Sequence, residues 1–279
     1  MLDIRLIATD LDGTLLGGEK EIPELNIRAL QEAERRGIQV VLASGRSYSS
    51  VRLIARKIGL KGPIISANGG RVDEAEPGHM LLNLPLTGEK SRKVYELCKA
   101  SGLYFEIYHN GIIYSDNYQG RPNWSQESFC EDRDGVLHWH LCDPERMEKE
   151  AVAQADKYVV FTLEEEAAQL AELREAVKKI EGLNVNSSWY TNIEILDQNA
   201  GKGKCLDFLA QRAGLVPDQV MAFGDNLNDK DMLEYAGWPV LMENGLEELR
   251  PLARIIAPRN TLGGVGRVLY QYVLGEETL

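Results

Sequence analysis

A chain of 279 residues, 44% of them apolar and 27% charged, can bury an ordinary core without staples and has the composition of a soluble globular protein. Its 31 Lys and Arg stand against 43 Asp and Glu, and the net charge of -12 argues against nucleic acid and anionic membrane as partners, since both attract basic surfaces. Any site that handles phosphate must therefore reverse the sign locally, which a divalent cation would do.

Met1 to Arg5 carry charges where a signal peptide would be apolar, and no apolar run approaches the roughly 20 residues of a membrane span. Cys98, Cys130, Cys142 and Cys205 show no paired short spacing, so reduced thiols in a cytoplasmic protein are expected. Short apolar runs at 5–9, 38–43 and 63–66 lack alternation, as strands buried on both faces do. Between them, 24–36 sets Leu25, Ala29, Leu30 and Ala33 on one helical face, and 47–58 reads the same way. From about Asn83 the character changes. A helix is expected over 89–100, after which 104–115 alternates around Asn110-Gly111, a strong hairpin signal. Residues 117–135 have little periodicity and read as a long loop; 158–163 predicts a strand and 164–180 an amphipathic helix. Strand and helix signals then alternate again, with a helix over 204–213 and buried strands at 220–223, 239–242 and 254–257. The expected fold is α/β: a doubly wound, mainly parallel sheet built from residues 1–82 and 190–279, with an inserted α+β cap over 83–189.

Asp10-Leu11-Asp12-Gly13-Thr14 follows the first strand directly, and ligand sites in open α/β sheets lie at the carboxyl ends of strands. If the chain stays extended, Asp10 and Asp12 point to the same side, and Gly13 then lets the backbone turn. Two carboxylates so close repel each other, and a hard cation with oxygen ligands would support their ionisation. Phe223-Gly224-Asp225-Asn226-Leu227-Asn228-Asp229 ends another apolar run with further acids. Ser44-Gly45-Arg46 ends a third, supplying a hydroxyl and a cation at a helix start, where backbone N–H groups favour an anion. Lys202, in Gly201-Lys202-Gly203 ahead of a helix, offers a point charge for phosphate. Each feature has a plain alternative: an acidic turn, an Asn or Asp helix cap, a capping serine, a solvated surface cation. Four of them together at strand or helix ends favour a shared site.

With these residues in view, the sequence resembles the haloacid dehalogenase superfamily, and within it the Cof-type phosphatases with a large C2-type cap. Residues 10–14 match the first motif, Ser44 the second, Lys202 the third and 224–229 the fourth; Asn68-Gly69-Gly70 and Met242-Glu243-Asn244-Gly245 look like further family signatures. Gly70, Cys205 and Gly245 stand where Ala is usual, and none is a charged position. The resemblance implies a magnesium-dependent phosphatase that hydrolyses small phosphorylated metabolites, sugar or cofactor phosphates, through an aspartyl-phosphate. It implies Asp10 as nucleophile and Asp12 as acid and base. Mg2+ would be held by Asp10, the Asp12 carbonyl and Asp225, with Asp229 supporting it through water. Ser44 and Lys202 would meet the phosphoryl oxygens, and Gly45, Arg46, Asn68 and Asn228 would add phosphate or substrate contacts. Two rival expectations are a phosphomutase using the same aspartyl-phosphate and a non-catalytic sensor of phosphorylated metabolites. A sensor would be expected to lack the nucleophile or the metal carboxylates, and Asp10, Asp12 and Asp225 are all present. The expected partner is a small phosphorylated metabolite, without nucleic acid or membrane; oligomeric state is not readable.

Two signals in the middle of the chain stay outside this picture. His138, His140 and Cys142 alternate and could face one way as a zinc or copper site, but a half-buried cap strand is the simpler reading. Eight aromatic residues between Tyr104 and Trp139 are expected mainly in the cap core, with one or two left to line the pocket.

Overall fold

The computed structural model describes residues 1–18, 21–76, 78–115, 139–141, 144–188 and 190–275 of the chain. Strand β1 (Leu6–Thr9) buries Ile7 on one face and Leu6 and Ala8 on the other, as its unbroken apolar run requires. Helix α1 (Glu24–Arg35) puts Ala29, Leu30 and Ala33 into the first of these cores. Strand β2 (Gln39–Ala43), helix α2 (Tyr48–Lys57) and strand β3 (Ile64–Ser66) follow in parallel succession. Then β4 (Arg71–Asp73) and β5 (Met80–Asn83), each antiparallel to the strand before it, extend the sheet, with β5 at its edge; the sequence patterning does not mark either strand.

Beyond Asn83 the chain builds a second sheet. Strand β6 (Leu86–Thr87) and helix α3 (Gly88–Ser101) lead into β7 (Tyr104–His109) and β8 (Ile112–Ser115). Asn110 and Gly111, at φ +51° and +76°, make the tight turn between them, and positive φ at both positions matches the twist of a hairpin. Next come β9 (Trp139–Leu141), α4 (Pro144–Met147), β10 (Gln154–Ala155), β11 (Lys157–Phe161), α5 (Ala167–Lys178), β12 (Leu183–Asn186) and β13 (Asn192–Asp197). The six-stranded sheet runs β12-β13-β11-β7-β8-β9, while β10 and β6 form a separate ribbon. One face packs Phe105, Ile107, Tyr158, Val160, Ile193 and Ile195 against α3 and α5. The expected core segment of 190–279 is corrected here: β13 pairs with β11 and β12, so residues 192–197 lie in the second sheet. An alternating strand reads the same in either sheet, and only its pairing partner assigns it.

The chain then completes the first sheet with α6 (Lys202–Arg212), β14 (Val220–Gly224), α7 (Lys230–Tyr235), β15 (Trp238–Met242), β16 (Ile255–Ala257) and α8 (Gly264–Leu269). That sheet has eight strands in the order β16-β15-β14-β1-β2-β3-β4-β5, parallel from β16 to β3. Helices α1, α2 and α8 share one core with it, and α6 and α7 share the other, so the domain is doubly wound. Cys98 and Cys205 are buried and free. The expected loop over 117–135 lies outside the described residues, as do His138 and Cys142; His140 falls in β9. Among the described residues, no helix is long and apolar enough to cross a membrane.

Candidate active site

Strand β1 lies between β2 and β14, and the chain leaves it on one side before returning on the other. At such a switch point the connections diverge and a crevice opens beyond the carboxyl ends of the strands. The loops after β1, β2 and β14 converge there, each carrying part of the site. The Asp10 N–H still donates to Phe223 O at 3.0 Å, which keeps this residue in register with β14. The chain then turns, with Thr14 and Leu15 N–H donating back to Leu11 O and Asp10 O at 3.3 and 3.2 Å. Gly13 takes φ +86°, and a Cβ there would lie 2.3 Å from Asp225 Oδ2, so the glycine lets the two loops touch. Across this contact Thr14 Oγ1 donates to Asp225 Oδ1 at 2.7 Å, and Asn244 Nδ2 donates to Gly13 O at 2.7 Å. Thr14 and Asn244 stand in the motifs quoted above, yet nothing in the sequence says what either faces.

Asp10, Asp225 and Asp229 bring carboxylate oxygens within 4.8 Å of one another. Lys202, the first residue of α6 and wholly buried, donates from Nζ to Asp10 Oδ1 and Asp229 Oδ1 at 2.6 Å each. Asp229 Oδ2 accepts the N–H of Asp225 and Asn226 at 2.9 and 3.1 Å, so protein groups engage both of its oxygens. Burial holds the Asp10 carboxyl well above its usual range; Lys202 opposes this, and repulsion from Asp229, Asp225 and Asp12 adds to it. Asp225 is pushed up to about 7 by burial and by Asp229, against the Thr14 hydrogen bond. Burial alone would depress the Lys202 ammonium, but the two flanking carboxylates win and hold it charged. Three closely spaced acids, two buried and Asp225 half-buried, can ionise together against one lysine only with more positive charge, and oxygen donors suit a hard divalent cation. The donor set fits magnesium.

The Asp12 carboxylate lies outside this group. Continued extension would have turned it the same way as Asp10, but the turn after β1 gives the two different partners. Arg46 Nε and Nη2 donate to Asp12 Oδ2 and Oδ1 at 2.7 and 2.6 Å, a two-point grip. Ser44 is buried at the end of β2, its Oγ accepting the Arg46 N–H at 3.2 Å. Asn68 sits beyond β3 at φ +53°, next to Ala67 at +51°, a strained pair held because their N–H groups donate to Ser44 O and Arg46 O at 3.0 and 2.9 Å. Asn68 Oδ1 accepts Asn228 Nδ2 at 3.1 Å, which ties the β3 and β14 loops together. The second sheet reaches the same place. Lys157 Nζ donates to Gly45 O at 2.6 Å, Asn68 Nδ2 donates to Glu194 Oε2, and Asn226 Nδ2 donates to Ser188 O at 3.0 Å. Lys157, Ser188 and Glu194 were absent from the sequence-derived site.

A doubly wound core, with a second sheet set over the carboxyl ends of its strands and acids collected beneath, defines a capped α/β enzyme. The chain belongs to the haloacid dehalogenase-like hydrolases, whose family model matches residues 7–269. It is 28% identical to phosphatase YwpJ of Bacillus subtilis, over 95% of this chain and 99% of that protein. Pyridoxal phosphate phosphatase YbhA of Escherichia coli is 26% identical, over 97% of this chain and 99% of its own length. Among solved structures, a haloacid dehalogenase-like hydrolase from Bacillus subtilis matches with a TM-score of 0.83 at 26% identity, covering 97% of this chain and 100% of that one. The chain is an enzyme of this family, a phosphatase.

Proposed function

We propose that the chain is a magnesium-dependent phosphatase that hydrolyses small phosphorylated metabolites through an aspartyl-phosphate on Asp10. The observation that carries this reading is the buried Asp10 under Lys202, with Asp225 and Asp229 oxygens within 4.8 Å. Magnesium would be held by Asp10, Asp225 and the Asp12 carbonyl, and when bound it would offset the repulsion among the acids and draw the phosphoryl dianion in. Asp229 braces Lys202 and the Asp225 backbone, so it supports the ligands. The Asp10 carboxylate attacks phosphorus, and Lys202 and Ser44 stabilise the phosphoryl oxygens as charge spreads over them. Asp12 protonates the leaving oxygen, then takes a proton from the water that hydrolyses the aspartyl-phosphate. Arg46 grips both Asp12 oxygens, so that grip must open before an Asp12 oxygen reaches the leaving group. The pyridoxal phosphate named for YbhA supports a phosphorylated cofactor as the kind of substrate.

The test is release of inorganic phosphate from para-nitrophenyl phosphate, with and without magnesium, by the wild type and Asp10→Asn. The wild type is expected to turn over only with the metal, and Asp10→Asn to lose at least about a thousandfold, the scale set by removing a nucleophile. Near-normal turnover by Asp10→Asn would remove the nucleophile assignment. With a hexose monophosphate as substrate, isomerised product without free phosphate would point to a mutase instead.

A further inference from the structure

The second sheet has two faces of unlike character. The face away from the core is the apolar packing on α3 and α5 already described. The face turned toward the core carries Tyr104, Glu106, Tyr108, Lys157 and Glu194, all of them buried. Its three central strands set Glu106 and Glu194 in one row, each opposite Val159 of β11. Lys157 stands two residues along, opposite Tyr108, with its ammonium 4.6 Å from the Tyr108 ring centroid.

Direct contacts join this face to the phosphoryl site. Besides Gly45 O, Lys157 Nζ reaches Glu194 Oε2 at 3.2 Å, so its charge is already matched. Glu194 Oε2 receives Asn68, which in turn receives Asn228 from the Asp225 loop, and Ser188 Oγ donates to Glu194 Oε1 at 2.6 Å. Glu106 Oε1 accepts the Tyr104 hydroxyl at 2.9 Å. Burying carboxylates is unfavourable, and apolar residues of similar volume commonly stabilise such positions, so packing does not account for two glutamates here. Burial pushes Glu106 up to about 7, a group that gains from a proton or a donor brought to it.

We infer that Glu106 and Glu194 select the leaving group, favouring phosphomonoesters of polyols or amino alcohols rich in hydrogen-bond donors and rejecting those that carry a second anionic group. This rests on the phosphatase reading above. A hydroxyl or ammonium donates to Glu106, while Lys157 and Glu194 offset each other's charge, so a second phosphate finds no free cation on this face and Glu106 against it.

Three substrates test it on the full chain with magnesium: a hexose monophosphate, the corresponding hexose bisphosphate, and para-nitrophenyl phosphate. The wild-type kcat/KM is expected to favour the monophosphate over the bisphosphate by about tenfold or more, because bringing like charges together is costly, and Glu106→Gln and Glu194→Gln each to cut that ratio several-fold. A wild-type preference for the bisphosphate overturns the inference, and so does a ratio unmoved in both variants. Because the wild-type ratio needs no variant, a variant that fails to fold leaves the inference open to refutation. Para-nitrophenyl phosphate separates the two readings. If it is hydrolysed while the ratios contradict the inference, the leaving-group assignment falls alone; if the wild type hydrolyses nothing, both fall.

Discussion

Lys202 is buried between two acids that face it at 2.6 Å, and this one side chain links the loops after β1 and β14 to the start of α6. Its removal would strand Asp10 and Asp229 without a counter-charge. Lys202→Met, which keeps most of the stem, is expected to cost about 3–5 kcal/mol of unfolding free energy in metal-free protein, the range for breaking a buried ion pair from one side. Urea denaturation measures it, and wild-type stability would show the two pairs to be unimportant. At this scale the sequence was informative wherever chemistry sits at a strand or helix end: Asp10, Ser44, Lys202 and Asp225 could be picked out by position. It was silent on Thr14 and Asn244, because a hydroxyl or amide beside a turn can face several ways. The close approach permitted by Gly13 selects one.

The elements of the cap show where patterning misleads. Alternation over β7 predicts a strand with one apolar face and one face toward water, which is the usual state of an antiparallel sheet. Here the catalytic core covers the polar face, so Glu106 and, nearby, Asp156 are buried carboxyls, each pushed up to about 7 mainly by that burial. Unfolded, they return to ordinary values near 4.5 and 3.8. Between those values and 7 the folded chain holds protons that the unfolded chain has lost, so these groups make stability fall as pH rises from about 4 to about 7 and level off above it. Melting temperature against pH, with magnesium saturating so that the Asp10 group contributes little, should show this decline. Glu106→Gln should flatten it; an unchanged slope would mean that Glu106 titrates normally.

At the scale of the whole molecule, core and cap are joined at several points. Ser49 Oγ donates to Gly111 O at 2.9 Å, and Arg71 Nη1 donates to Asn110 Oδ1 at 3.2 Å. Gly70 has its own part: a Cβ there would lie 2.4 Å from Asp156 O, so the glycine, where the family usually has Ala, allows the cap to sit this close. Magnesium would bind the folded chain alone, because the acids proposed to hold it come from distant loops. At a hundredfold excess over its Kd it should add about 2.7 kcal/mol, which raises the melting temperature by roughly 5 °C in a chain of this size. Calorimetry with magnesium and with a chelator measures the shift; an Asp225→Asn variant that kept the full shift would place the metal elsewhere. The sequence by itself determined the α/β class, the order of most elements and which acids, serine and lysine stand at their ends, because periodicity and motifs are local in the chain. Only the tertiary structure decided who meets whom: Arg46 on Asp12, Lys202 between two acids, β13 in the cap sheet, and Lys157 and Glu194 brought down beside the loops after β2 and β3. Strand order and close backbone approach set those meetings, and neither leaves a local mark in the chain.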